Sequence, residues 1–132
     1  MSEDPVAIVR RIWEAFGADD PDPALALFAD DIEWTPAADE PETGTLYGKE
    51  AVQGLFLQWL TSFDDFRSEP LEYVEAGGLV VVTLKFSGKM RGSGAEVAFE
   101  GSQVYRVSDG LVREVWEYRT KEEAMKAAAA PG

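Results

Sequence analysis

Four consecutive segments in the second half of the chain alternate apolar and polar residues, and the joints between them are too short for anything but hairpins. The segments run over residues 67–75, 79–90, 97–107 and 111–119, joined by "AGG", "RGSGAE" and "SDG". Period two is the mark of a half-buried strand. Short glycine-bearing joints impose antiparallel pairing. A chain with such a meander is committed to an antiparallel sheet whose apolar face must be covered.

The first sixty residues supply the cover. Asp4 and Pro5 form an N-cap and a proline at the first helical position, and Ile8, Val9, Ile12, Trp13 and Phe16 follow at helical spacing. "GADDPDP" breaks that helix, and Asp22 and Pro23 repeat the start signal for a short second helix through Leu25, Leu27 and Phe28. A third helix from about Lys49 carries Val52, Leu55, Phe56, Trp59, Leu60 and Phe63 on one stripe. Between the second and third helices, Asp30 and Asp31 read as a turn, and Ile32, Trp34 and Pro36 as one face of a short strand. Residues 37–48 read as a loop by composition. The expected organisation is one α+β domain over residues 1–120, with a helical or disordered tail over 121–132.

The chain has no cysteine and no histidine. Disulfides, thiol nucleophiles, histidine-based triads and thiolate or imidazole metal sites are therefore outside its chemistry. Any proton carrier must be a carboxylate, lysine or tyrosine tuned by its surroundings. No nucleotide motif or metal set is apparent, so no cofactor is expected. A net charge of −13 argues against nucleic acid and anionic membranes as partners. No apolar run reaches membrane-spanning length and the N-terminus has no signal-peptide pattern, so a cytoplasmic location is expected.

The words "WEAF…PALALFADDIEW", "GKEAV" before the long helix, and "FEGSQVYRVSDGLVREVWEY" near the end make a recognisable series. Their order and spacing resemble the nuclear transport factor 2-like cone fold and, within it, the SnoaL-like polyketide cyclase and ketosteroid isomerase-like proteins. The resemblance implies a cone-shaped, curved antiparallel sheet, mixed at the first strand, with three N-terminal helices on its concave face. It also implies a homodimer through the outer sheet face. Many activities share this architecture, so the reaction has to be argued from the site.

Strand alternation assigns the faces. Val97, Phe99, Gly101, Gln103, Tyr105 and Val107 should point inward, as should Leu111, Arg113, Val115, Glu117 and Arg119 on the last strand. The pattern of the last strand equally allows Val112, Trp116 and Tyr118 to be the buried set. Carried over by spacing, the base, tyrosine and acidic donor of the ketosteroid isomerases fall on Pro36, Ile12 and Gln103. A proline cannot move a proton, which speaks against a ketosteroid isomerase proper. The cyclase and epoxide hydrolase relatives resemble this chain with a carboxylate on the last strand, and here that position holds Glu117.

The candidate catalytic residues are thus Glu117, as an acid or base in an apolar cone, and Gln103 as its polar partner. Gln103 could instead serve only a structural hydrogen bond. Trp13, Phe16, Trp34, Phe56, Trp59, Phe99, Tyr105 and Arg119 are the expected pocket wall, the aromatic members doubling as core. The expected ligand is a small, apolar, oxygenated molecule, bound or converted by carboxylate chemistry of the cyclase, isomerase, dehydratase or epoxide-hydrolase type. The competing expectations are a non-catalytic binding module and an assembly module pairing through Val112, Trp116 and Tyr118.

Overall fold

A computed structural model describes residues 4–17, 22–36, 44–76 and 78–129. Helix α1, Pro5–Gly17, starts where the sequence places it, with the Asp4 carboxylate accepting from the Val6 N–H at 3.0 Å. The short α2, Asp22–Leu25, leads into strand β1, Phe28–Thr35. Strand β2, Leu46–Tyr47, precedes helix α3, Lys49–Ser62. The meander then follows as β3, Phe63–Ala76, β4, Leu79–Met90, β5, Glu96–Ser108, and β6, Leu111–Tyr118; helix α4, Lys121–Ala129, ends the described chain.

The six strands form one curved sheet in the order β2-β1-β6-β5-β4-β3. All pairings are antiparallel except that of β1 with β6, which is parallel. The β5–β6 hairpin turns on Asp109 and Gly110, at φ of 56° and 77°. Two left-handed residues in succession are what a two-residue hairpin needs to match strand twist, and Asp-Gly reaches that conformation at low cost. Gly48, at φ 94°, opens α3, and its N–H bonds the Ile32 carbonyl at 2.8 Å. This ties the helix entry to β1.

The helical face of the sheet holds the main core: Ile8, Val9, Ile12 and Trp13 of α1 and Val52 and Phe56 of α3 meet Val80, Val82, Leu84, Tyr105, Val112 and Val115. The opposite face carries a smaller cluster, in which Val81 and Val104 are covered by Ala124 and Ala128 of α4. Residues 121–129 are therefore a helix docked on the sheet. Alanine lets its backbone come close to the strands.

Several local expectations change. Asp30 and Asp31 lie inside β1 and do not form a turn. The β1–β6 register shifts between Phe28 and Glu33, so the strand absorbs both acids in an irregularity and turns them outward, near Lys49 at 3.8 Å and Arg113 at 3.9 Å. Phe28 belongs to β1 and not to α2, and Phe63 begins β3 and does not end α3. Tyr47, expected in a loop, pairs with Glu33 across β2. Asp39 and Glu40, within the expected loop, lie outside the described residues.

Candidate active site

The last strand settles its own ambiguity by changing phase. The β5–β6 register shifts between Arg106 and Val107, so Val112 and Val115 are both buried toward the helices although they are three residues apart. Beyond the irregularity, Trp116 and Tyr118 face α4, and Glu117 faces the helical side. Neither simple alternation of this strand holds along its whole length.

Glu117 lines a cavity of about 110 Å³ together with Pro36, Leu55, Phe63, Phe66, Phe86 and Phe99. Its carboxylate is fixed at both oxygens. The Trp34 indole N–H donates to Oε1 at 2.7 Å, and the Gln103 amide donates to Oε2 at 3.3 Å. Gln103 sits opposite Glu117 in the β5–β6 register and is only 2% exposed. Its Oε1 in turn accepts from the Tyr105 hydroxyl at 2.6 Å. The buried amide is thus satisfied at both ends, as a buried polar group must be. Trp34, Gln103, Tyr105 and Glu117 form one hydrogen-bonded network spanning three neighbouring strands.

Burial pushes the Tyr105 hydroxyl well above the ordinary tyrosine value, the Trp13 indole opposes this, and the Glu117 and Tyr73 charges reinforce it. Trp13 Nε1 is buried and makes no well-formed hydrogen bond among the described residues. The folded state therefore holds Tyr105 neutral while the unfolded chain ionises it near pH 10.0. With the folded value raised, this contribution to stability is complete below the unfolded pKa and is lost as pH rises above it toward the folded value. Unfolding midpoints in urea should fall above pH 10, and Tyr105→Phe should flatten that part of the profile.

The remaining expected wall residues divide. Trp13, Trp34 and Phe56 are buried in the core, Phe56 packing edge-on against Trp34 at 5.6 Å and against Phe16 at 4.7 Å. Phe99 lines the cavity at its rim, 52% exposed. Phe16 faces a larger open cleft of about 680 Å³ that also meets Phe66, Arg67, Glu69 and Lys85. That cleft reaches neither Glu117 nor Gln103. Arg119 is exposed beyond the end of β6 and is not among the residues that line the cavity; the strand stops at Tyr118, one residue short of it. The Trp59 side chain lies outside what is described. Leu55 and Phe63, read on the stripe of the third helix, and Phe66 and Phe86, whose alternation reads equally as core, also line the cavity and were not expected there.

Among the described residues no group of three or more carboxylates is placed to hold a metal ion, and no helix is long and apolar enough to cross a membrane. A family model described as the SnoaL-like domain matches residues 9–115. The chain belongs to the SnoaL-like family. Solved structures agree on the fold. An NTF2-like protein of Burkholderia thailandensis E264 is similar at 25% identity and a TM-score of 0.79, covering 97% of this chain and 99% of its own. TerC, co-crystallised with polyporic acid, is similar at 18% identity and a TM-score of 0.75, covering 95% and 98%. A hypothetical protein of Catenulispora acidiphila DSM 44928 with a ketosteroid isomerase-like fold, in complex with trimethylamine, is similar at 16% identity and a TM-score of 0.72, covering 99% and 96%. No curated protein matches the sequence significantly. This SnoaL-like chain shares its fold with these proteins.

Proposed function

We propose that this SnoaL-like protein holds a small, apolar, oxygenated molecule in the cavity beside Glu117 and that the Glu117 carboxylate carries out proton transfer on it without a cofactor. The observation that carries the reading is a carboxylate gripped at both oxygens in the wall of an otherwise apolar, aromatic cavity. A fixed carboxylate in such surroundings is suited to act as a general base, and Gln103 would hold it in place. The cyclase, isomerase and dehydratase classes all begin with such a transfer. The small molecules held by TerC and by the Catenulispora protein support a pocket role. Pro36 in the wall and Ile12 in the core support the view that it is not a ketosteroid isomerase proper.

Thermal-shift screening against polyketide-like aromatics, terpenoids, steroids and epoxides would identify ligands, and Glu117→Gln would separate binding from catalysis. The substitution should lower turnover by about 100- to 10,000-fold, the usual span of a general acid or base, and leave binding within about tenfold. Turnover that survives Glu117→Gln would sink the acid–base reading. A non-catalytic binding module is the second reading, favoured by the fact that Glu117 is the one polar side chain among the described residues lining the cavity. If copies pair across the outer sheet face, the pairing would use the part that α4 leaves open, around Lys85, Ser87, Ala98 and Glu100.

A further inference from the structure

An amide has two unlike ends, and the network around Gln103 determines which end faces Glu117. The Tyr105 hydroxyl donates to Gln103 Oε1, so Nε2 is the end left to meet Glu117. At the far side of Glu117, the Trp34 indole N–H can only donate. The hydrogen-bond direction therefore runs from Tyr105 through Gln103 to Glu117 and meets Trp34 coming the other way. Trp34 and Gln103 both donate to the carboxylate, which accepts from each.

A ligand meets that acceptor within walls of Pro36, Leu55 and four phenylalanines. Its polar group has to supply a hydrogen. A ketone, ether or carboxylate oxygen in the same place would face another acceptor, with no donor side chain among the described lining residues. The walls also dictate shape. Phe63, Phe66, Phe86 and Phe99 stack in series with centroid spacings of 5.6, 6.0 and 5.2 Å and interplanar angles of 29°, 20° and 29°. A flat ring continues such a series. At about 110 Å³ the space is close to the roughly 150 Å³ engineered cavity that admits benzene. Its size suits a single ring.

We propose that the cavity selects small single-ring molecules that donate an O–H to Glu117, phenols and enols, and that Tyr105 sets this selectivity by fixing the direction of the Gln103 amide. The proposal rests on the acid–base reading and narrows it: Glu117 acts as base toward a hydroxyl. Tyr105 is a positioning residue, buried and out of the ligand's reach.

The test is an NMR titration of the isotope-labelled protein, with the Trp34 indole N–H as reporter because it is bonded to Glu117. Phenol, anisole, toluene and benzoate are the probes. Phenol should bind at least tenfold more tightly than anisole or toluene, and benzoate should give no shift at the same concentrations. Tyr105→Phe frees the amide to turn its oxygen toward Glu117, and the phenol-to-anisole ratio should shrink below threefold. Where that variant does not fold, Gln103→Leu removes the directed donor and should shrink the ratio likewise. Equal binding of phenol and anisole by the unaltered protein, no binding of either, or a ratio that survives in the folded variants would overturn the proposal. Loss of turnover in Glu117→Gln without donor selectivity would sink this inference and leave the acid–base reading standing.

Discussion

Trp34→Ala is expected to lower stability by about 3–5 kcal/mol, the usual cost of deleting a buried tryptophan side chain. Trp34 has no exposed surface, and its ring meets Phe28 at 6.3 Å, Phe56 at 5.6 Å and Tyr105 at 6.5 Å, each near edge-on. Packing of this kind around one side chain leaves a cavity that the neighbours cannot close. A second loss adds to it, because the donor to Glu117 Oε1 disappears. Trp34→Phe separates the two. It keeps most of the apolar volume and should cost about 1–3 kcal/mol for the carboxylate left short of a donor. Urea unfolding reads both. A domain of this size holds only about 5–15 kcal/mol, so the alanine variant should lose a large share of its stability. If Trp34→Phe costs as much as Trp34→Ala, the indole–carboxylate bond outweighs packing. If it costs nothing, the bond is not a structural element and Glu117 does not depend on Trp34 for its position.

The same residue shows why so much of the fold was legible. Ile32 and Trp34 alternate with Glu33, and that period places Trp34 inward before any coordinate is seen. The helix start at Asp4 and the Asp109-Gly110 turn are likewise local chemistry, written in a few adjacent residues. What was not legible was register. The shifts near Asp30 and at Arg106–Val107 depend on which residue of a neighbouring strand is opposite, and no single strand encodes that. Hence Asp30 and Asp31 sit in a strand where composition suggests a turn, and Val112 and Val115 share a face against simple alternation. The site was legible in part for the same reason. Gln103 stood out as a polar residue in an apolar row, and Glu117 as a carboxylate facing it. Their partner Trp34 sits 83 positions from Glu117 and the indole bond could not be foreseen. Arg119 was included because it is two residues from Glu117, but β6 ends before it, so alternation no longer applies.

Ending the chain after Thr120 is expected to lower stability by about 2–4 kcal/mol and to promote self-association. Helix α4 buries Ala124 and Ala128 against Val81 and Val104 and shields parts of Val74, Leu79, Trp116 and Tyr118. Each fully covered valine is worth about 1.5–3 kcal/mol, an upper bound here because flanking strands continue to cover part of each. The ion pair of Lys121 with Glu72 and the bond from the Glu123 N–H to the Thr120 hydroxyl fasten only the first turn and add little. Removal of the helix leaves valines, a tryptophan and a tyrosine on one sheet face, the kind of patch that pairs copies of a chain. Thermal unfolding and sedimentation at two protein concentrations would measure both effects. A truncated chain as stable as the full one would mean that the outer face does not need its helix. One that is destabilised yet shows no added association would mean that the exposed patch is too small or too polar at its margins to pair. Stronger association on truncation would identify α4 as an intramolecular cover, occupying sheet surface that a second copy would otherwise use.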